Sequence, residues 1–257
     1  MTARCHIRDT NFLHDVEMFI IRYFFLIAHL FSALFQAVFL LSWAGQNLRQ
    51  TLIKCWCRQL LWIFNIRLQV NYQEPLPEGA IFFVANHISW IDIHLINSWR
   101  PVRFVAKSEV SSWLFFGYLA RRLNTLFIDR NNRGASHGAV QSIVKELDGG
   151  HDVCVFPEGT STDGRDIRNF YANLFQAPIE SHHPCIPLAI IYKDAKSGGF
   201  TDVPAFIGDM GLIESILRMM RSPAIQAFIL VTGACKTVND RKCLSMEARD
   251  KIINARN

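Results

Sequence analysis

The chain has 257 residues, half of them hydrophobic, and 27 lysines and arginines against 22 acidic residues give it a formal net charge of +5. This length permits one substantial core, so we expect one domain plus an N-terminal element. The modest charge is spread along the chain without a nucleic-acid-binding motif, which excludes nucleic acid as an expected partner and favours an anionic membrane surface. Seven scattered cysteines give no disulfide framework or metal motif and indicate reduced thiols.

The N-terminal part is predicted to attach the protein to a membrane. Residues 23–43 are almost entirely apolar and would form a helix about 31 Å long, enough to cross a bilayer core. A spanning helix and a partly embedded helix both fit this pattern. A second apolar group, residues 60–66, is too short to span. Basic residues with no acid among them follow the first segment and predict a cytoplasmic catalytic part: Arg49, Lys54, Arg58 and Arg67.

Strands and helices alternate from Leu76 onward, which predicts an α/β fold with a mixed sheet flanked by helices. We therefore divide the chain into a membrane-anchoring helical segment, residues 1–70, and an α/β domain, residues 71–257. The predicted strands are 80–85, 102–106, 126–128, 153–156, 186–192, 205–208 and 228–231. The predicted helices are 90–97, 113–121, 135–147, 212–220 and 245–254.

The first chemically informative segment is Asn86-His87-Ile88-Ser89-Trp90-Ile91-Asp92, directly after the first predicted strand. Histidine titrates near neutrality, and a carboxylate on one ring nitrogen fixes its tautomer and stabilises the imidazolium. Residues five apart on one helix do not share a face, so His87 must lie in the turn and Asp92 within the following helix. Asn86 and Ser89 are candidate caps of that helix. The pair predicts a general base that activates a weak oxygen nucleophile.

A second informative segment is Phe156-Pro157-Glu158-Gly159-Thr160, which follows another short apolar run. Pro157 and Gly159 disfavour continued strand or helix, so Glu158 and Thr160 lie on a turn at the carboxyl end of a strand. Ligands of open α/β sheets bind at that edge. Glu158 either shapes a substrate pocket or holds loops together by accepting backbone hydrogen bonds.

Two weaker segments complete the pattern. The run Leu126–Ile128 leads into Asp129 and Arg130, and Arg130 is either an anion clamp or a solvated strand end. The apolar run 185–192 contains Pro187, which predicts a bulge or an edge strand.

These four segments, in this order, resemble the motifs of the glycerolipid acyltransferase family, of the 1-acylglycerol-3-phosphate O-acyltransferase type. The first is N-H-x4-D, the second a strand ending in arginine, the third F-P-E-G-T and the fourth a strand with an internal proline. The stretch 104–110 is similar to the lysine-containing segment of the family. The resemblance covers roughly residues 79–192 and is carried mainly by the first and third motifs.

The resemblance implies transfer of a fatty acyl group from acyl-CoA or acyl carrier protein to the hydroxyl of a lysolipid. It implies His87 as the base, Asp92 as its orienting carboxylate, and no metal or cofactor. Residues implied to bind substrate are Arg130, Glu158, Gly159, Thr160 and Lys107. Turn N–H groups or Lys107 are the candidate donors to the oxyanion. The resemblance also implies a monotopic hairpin of the two apolar segments on the cytoplasmic side of the inner membrane.

Two departures from the family pattern bear on the acceptor. Asn124 replaces a glycine that opens the second motif, and asparagine tolerates the left-handed backbone that such a turn needs. Ser161 replaces an arginine after the third motif, and serine cannot supply that charge to a phosphate. The resemblance to lyso-ornithine lipid acyltransferases, with small polar residues there, is therefore an alternative.

Other functions and roles stay open from the sequence alone. A non-catalytic lipid-binding protein of the same fold and a thioesterase are the rival functions. Ser89 and Cys154 are candidate nucleophiles of a two-step reaction, although no base is evidently aimed at either. The apolar stretch 113–116 either contacts lipid or forms a buried helix face.

Overall fold

The protein is described by a computed structural model that covers residues 3–40, 43–112, 114–128, 133–236 and 239–256. Within these ranges the side chains of residues 3–17, 114–116 and 133–136 are not described. Arg130 therefore lies outside the described residues, as do the side chains of the apolar stretch 113–116.

The N-terminal part forms a helical hairpin. Helix α1 (Ala3–Phe35) continues as a short π-helical turn (Gln36–Leu40), and α2 (Gln46–Ile63) returns along it. The 23 residues Met18–Leu40 form the one helix in the described chain that is long and apolar enough to cross a membrane. A single stripe of this helix is buried, and the rest of its apolar surface is exposed; the buried residues are Leu26, His29, Ala33 and Ala37.

Seven strands and six further helices follow the hairpin. The strands are β1 (Ile66–Tyr72), β2 (Phe82–Ala85), β3 (Arg103–Lys107), β4 (Leu126–Ile128), β5 (Val153–Val155), β6 (Cys185–Asp194) and β7 (Ile225–Val231). The helices are α3 (Ile91–Trp99), α4 (Leu114–Arg122), α5 (Arg133–Asp148), α6 (Gln176–Ser181), α7 (Leu212–Arg221) and α8 (Arg241–Arg256).

The strands form one mixed sheet in the order β1-β7-β6-β2-β5-β3-β4. Strands β6, β2, β5, β3 and β4 are parallel to one another, whereas β7 is antiparallel to β6 and parallel to β1. The carboxyl ends of β2, β5, β3 and β4 consequently lie at one edge of the sheet. The segments that carry the first three motifs leave the sheet at this edge, as the sequence predicts.

Apolar residues on the two faces of the sheet form two separate cores, so the domain has three layers. One core joins the sheet to the hairpin, α3 and α7; it includes Leu26, Leu61, Phe83, Leu95, Ile190 and Met219. The other joins the sheet to α5 and α8; it includes Phe82, Val84, Ile143, Val155, Phe175 and Ile252. The predicted α/β class with a mixed sheet is confirmed.

Several predicted elements need correction. Strand β1 was not predicted, although Arg67, Gln69 and Asn71 alternate with apolar residues in the period-two pattern of a half-buried strand. Residues 60–66 are not a separate apolar element but the end of α2 and the start of β1. The predicted domain boundary between residues 70 and 71 falls within β1, and the division itself stays a prediction.

Two further predictions about strands are wrong. Residues 205–208 form no strand; Phe206 N–H donates to the carbonyl of Ile88 in a loop contact instead. Pro187 lies in β6, which is central rather than at an edge. The last pair between β6 and β7 is Leu188 with Val231, so Pro187 lies just beyond that ladder and its missing N–H breaks no bond there.

Candidate active site

The structure brings His87 and Asp92 together at the carboxyl end of β2. His87 lies in the turn after the strand, Asp92 is the second residue of α3, and the distance from His87 Nδ1 to Asp92 Oδ2 is 2.9 Å. The Asp92 side chain is fully buried, whereas 21% of the His87 side chain is exposed. The carboxylate therefore accepts the Nδ1–H of an imidazole that solvent or substrate can reach, as the sequence predicts.

Asp92 is held by donors besides the histidine. Its Oδ2 accepts the backbone N–H groups of Ile88 at 2.7 Å and Ser89 at 2.8 Å, and its Oδ1 accepts the hydroxyl of Tyr192 at 2.6 Å. Burial, together with the nearby Asp92 carboxylate, raises the pKa of Tyr192, so the phenol stays protonated and donates. Both carboxylate oxygens are thus fixed, and the carboxylate can orient the imidazole without moving.

Sequence reasoning missed Tyr192, which comes 100 residues after Asp92. The residue was placed in a predicted strand but not in the site. Its position near the end of an otherwise apolar run was the available signal, because a buried tyrosine hydroxyl needs a polar partner.

Asn86 anchors the catalytic turn to the sheet rather than capping α3. Its side chain accepts the N–H of Ile190 at 2.7 Å and donates to the carbonyl of the same residue at 3.1 Å. This exchange extends the pairing of β2 with β6 one residue beyond its last pair, Ala85 with Leu188. The backbone position of His87 therefore follows from the register of two central strands. The predicted cap at Asn86 is wrong, and Ser89 makes only a long 3.4 Å contact with the N–H of Ile91.

Glu158 lies under the catalytic turn and is almost fully buried. One carboxylate oxygen accepts the backbone N–H of His87 at 2.8 Å, and the other accepts the N–H of Arg168 at 2.9 Å. Burial raises the pKa of Glu158, and the two backbone hydrogen bonds oppose that shift. This geometry matches the second of the two interpretations of Glu158, a carboxylate that joins loops.

The imidazole of His87 is also fixed by ring packing. It stacks on Phe156, the residue before the third motif's proline, with ring centroids 4.1 Å apart and planes 19° apart. Phe156 in turn stacks on Phe104 of β3 at 5.7 Å. The carbonyl of His87 accepts the N–H of Thr162 at 2.9 Å. His87 is therefore held from both its ring and its backbone.

The remaining predicted substrate-binding residues are distributed along the same edge of the sheet. Lys107 is the exposed last residue of β3, Gly159 has φ +76° in the turn after β5, and Thr160 is exposed. Arg130 lies outside the described residues. In the described part of the chain, no three histidine, cysteine or acidic side chains are grouped to hold a metal ion. The expectation of no metal and no cofactor stays a prediction.

The two candidate nucleophiles are poorly placed. Cys154 is fully buried within β5, and burial raises the pKa of its thiol, which keeps it protonated and unreactive. Ser89 is also fully buried. The site therefore favours a base that acts on a substrate hydroxyl over a covalent enzyme intermediate.

Ser161, which stands where the family carries arginine, is turned to the backbone. Its hydroxyl donates to the carbonyl of Phe206. The nearby Arg165 packs over the ring of Phe200 at 4.6 Å and lies 3.6 Å from the carboxylate of Asp163. Position 161 thus contributes a loop contact and no charge.

The sequence and the fold match proteins named as acyltransferases. A sequence model of the family Acyltransferase matches residues 67–191. The lyso-ornithine lipid O-acyltransferase of Pseudomonas aeruginosa is 35% identical over 175 residues, which are 68% of this chain and 66%, just under two thirds, of that protein. The 1-acyl-sn-glycerol-3-phosphate acyltransferase of Neisseria meningitidis is 30% identical over 198 residues, 76% of each chain.

The fold also matches a solved structure along almost its whole length. The crystal structure of the 1-acyl-sn-glycerophosphate acyltransferase from Thermotoga maritima superposes with a TM-score of 0.66 at 17% identity, covering 95% of each chain. The chain belongs to the acyltransferase family, as its motifs predict.

Proposed function

We propose that this protein transfers a fatty acyl group from an acyl thioester to the free hydroxyl of a lysolipid. The observation that carries the proposal is the 2.9 Å contact between His87 and the buried Asp92 in a chain of the acyltransferase family. A protein that only binds lipid has no need of a base whose tautomer is fixed by a carboxylate.

The proposed reaction uses the two ring nitrogens of His87 for different purposes. Asp92 holds Nδ1–H, so Nε2 takes the proton of the lysolipid hydroxyl while its oxygen attacks the thioester carbonyl carbon. The tetrahedral intermediate then collapses: the carbon–sulfur bond breaks, and the thiolate leaves with the proton that His87 had taken. The products are the diacyl lipid and the free thiol carrier. A thioester is already activated, so no acyl-enzyme is required.

Glu158 and Tyr192 act in this scheme as positioning residues. Each contacts the pair through one hydrogen bond, Glu158 to the backbone of His87 and Tyr192 to the carboxylate of Asp92. Lys107, Gly159 and Thr160 lie at the same edge and are proposed to contact substrate, with Arg130 binding the anionic group of the acceptor.

We propose 1-acylglycerol-3-phosphate as the acceptor, so that the product is phosphatidate. The relative from Neisseria meningitidis carries this activity in its name. A lyso-ornithine lipid is the second candidate, because Ser161 supplies no charge for a phosphate and donates to Phe206 instead. The relative from Pseudomonas aeruginosa is named for that acceptor.

The hairpin is proposed to lie in one leaflet of the inner membrane, with the catalytic domain in the cytoplasm. Helix α1 packs along α2, and Phe25 of α1 contacts Trp62 of α2 with ring centroids 5.4 Å apart. The outward face of α1 is apolar, as an embedded helix requires. Acyl-CoA and acyl carrier protein, both soluble, are the two proposed donors.

The test is acyl transfer by the purified chain in phospholipid vesicles. A radiolabelled acyl thioester is offered with lysophosphatidate or with lyso-ornithine lipid, and label in the diacyl product is measured. Wild type and a His151→Ala control, whose histidine precedes β5 at the opposite edge of the sheet, should be active. His87→Ala should lose activity by about 10²- to 10⁴-fold.

Each other outcome contradicts one part of the proposal or supports a rival function. Equal activity of His87→Ala and wild type contradicts the proposed base. Label in free fatty acid identifies a thioesterase, and no turnover with any donor favours a lipid-binding protein. Incorporation only into lyso-ornithine lipid replaces the preferred acceptor and keeps the chemistry. Ser161→Arg should then shift preference toward the phosphate acceptor.

A further inference from the structure

The loop before α7 and the first turn of that helix expose an unusual amount of apolar surface. Residues 206–213 read Phe-Ile-Gly-Asp-Met-Gly-Leu-Ile, and Ile207 is 42% exposed and Ile213 74% exposed. Met210 and Leu212 between them are partly exposed. Single exposed aliphatic residues are common on protein surfaces, but a cluster within eight residues marks a contact surface.

This loop is attached directly to the catalytic turn. The N–H of Phe206 donates to the carbonyl of Ile88 at 3.0 Å, and Ile88 is the residue after the catalytic histidine. The carbonyl of Phe206 accepts the hydroxyl of Ser161, which follows the third motif. The loop therefore lies beside the turn that carries His87.

The helix that follows the loop packs against α1. Helix α7 begins at Leu212 and runs to Arg221, whose guanidinium lies 5.8 Å from the ring centroid of Phe19 in α1. Ile20 and Ile21, the next residues of α1, are 60% and 46% exposed. Helices α1 and α7 both pack on the same face of the sheet.

The charges around α7 nearly cancel. Arg218 and Arg221 lie in its last turn, but Arg218 is paired with Asp202 at 2.8 Å, and Glu214 lies in the first turn beside Ile213. An amphipathic helix with an apolar edge is typical of proteins that lie in a membrane interface. On the opposite face of the sheet, α8 exposes a single large apolar residue, Met246, at 65%.

From these contacts we propose that residues 206–213, the loop and the first turn of α7, are a second membrane-contact surface, which inserts Ile207 and Ile213 into the lipid bilayer beside the active site. The domain then rests on the membrane at two places, α1 and this loop. The catalytic turn lies next to the second one. The inference rests on the proposed function in one respect, that the acceptor is a bilayer lipid.

The first experiment compares full-length Ile207→Asp/Ile213→Asp with a matched control, Met246→Asp. Activity is measured with a long-chain lysolipid in vesicles containing anionic phospholipid and with a short-chain acceptor that is monomeric in water. The loop variant should lose about tenfold or more on vesicles, since two aliphatic side chains no longer enter the lipid, and should match wild type on the soluble acceptor. The control should change neither activity.

The outcomes separate this surface from a role in the site. An equal loss on both acceptors, or no loss on vesicles, overturns the proposal. Circular dichroism and the melting temperature in detergent check that the loop variant is folded, and Ile207→Ser/Ile213→Ser gives a milder version of the same test.

The second experiment needs no acyl transfer and so stands even if the proposed function fails. A bimane label is attached to Ile213→Cys or to Met246→Cys in a chain whose Cys5, Cys55 and Cys243 are replaced by serine. Vesicles containing nitroxide-labelled anionic lipid should quench the label at position 213 and leave the label at position 246 bright. A bright label at position 213 on chains that cosediment with the vesicles contradicts the proposal.

Discussion

Two histidines seven residues apart, one before α3 and one within it, lie in opposite kinds of environment. His87 donates to the Asp92 carboxylate, stacks on Phe156 and keeps 21% of its side chain exposed. His94 lies among Trp56, Trp90 and Cys57, and its Nδ1 is 3.7 Å from the thiol sulfur of Cys57. Removal from water, reinforced by the nearby His29, lowers the pKa of His94 to about 3.

The comparison shows what makes a histidine a base. Both rings pack against aromatic side chains, so ring packing alone does not distinguish them. Only His87 has a carboxylate that stabilises its imidazolium and an open side from which a proton can be taken. His94 stays neutral at every physiological pH, and it serves to join α3 to the hairpin.

The largest expected effect comes from removing the negative charge of Asp92, which lies beside His87 and has no counterpart described beside His94. Asp92→Asn leaves His87 without a carboxylate, and the amide has one accepting oxygen where donors occupy both oxygens of Asp92. Activity should fall by about 10²- to 10⁴-fold, measured as kcat/KM on vesicles.

Asp152→Asn is the matched control for that variant. Asp152 also accepts a backbone N–H, that of Ile81 at 2.9 Å, and it pairs with Arg100, but it precedes β5 at the opposite edge of the sheet. The Asp152→Asn variant should have a lower melting temperature than wild type and the same kcat. Equal kcat losses in both variants would show that Asp92 acts only through folding.

A smaller effect should follow when the backbone of His87 loses its support. In Glu158→Gln, the carboxamide accepts only one of the N–H groups of His87 and Arg168, and an unpaired buried donor costs about 1–3 kcal/mol. We expect kcat to fall about ten- to hundredfold with KM for the acceptor unchanged. A raised KM with unchanged kcat would instead support the prediction that Glu158 binds substrate.

Removing the tyrosine that supports Asp92 should have a weaker effect still. Tyr192→Phe deletes a hydrogen bond to a buried carboxylate, worth about 1.5–3 kcal/mol, while three donors to Asp92 remain. We expect about a tenfold loss in kcat and an altered pH profile, because the carboxylate partner of the base is less stabilised. A kcat equal to that of wild type in this variant would show that Tyr192 does not support Asp92 in the reaction.

The smallest effect on activity is expected at the second histidine. His94→Phe should keep the wild-type activity and change only the pH dependence of stability. Because the folded pKa of His94 lies near 3, below the ordinary 6.5, the unfolded chain takes up a proton first as the pH falls from 6.5. His94 therefore contributes stability above pH 6.5 that is lost on acidification.

The difference in melting temperature in detergent, His94→Phe minus wild type, should therefore increase as the pH is lowered from 7 to 5. A parallel decline of both proteins would contradict the pKa shift. A loss of activity at neutral pH would show that His94 belongs to the site after all.

The sequence predicted the parts of the site that local spacing determines. His87 in a turn with Asp92 in the next helix follows from helix geometry, and the shared edge of the motifs follows from parallel strands. The sequence did not predict Tyr192 or the pairing of Asn86 with Ile190, because β6 joins β2 only in the folded sheet. Contacts between residues about 100 positions apart leave no periodic signal.

The fold was predicted to a similar degree. Long amphipathic segments such as α5 and α8 were found, and β4 was predicted with its observed bounds. The loop 205–208 is wrongly predicted as a strand because a short apolar run has the same composition whether it pairs with a strand or lies in a loop. Pattern alone could not separate these two environments.

The bond between Asn86 and Ile190 also bears on when activity arises during synthesis. His87 and Asp92 are synthesised early, whereas β6, whose residues bond to Asn86 and Asp92, is translated about 100 residues later. A nascent chain that ends before Cys185, the first residue of β6, already carries the N-terminal hairpin yet lacks these hydrogen bonds. If the hairpin anchors the protein as proposed, the chain reaches the bilayer before the proposed site is complete.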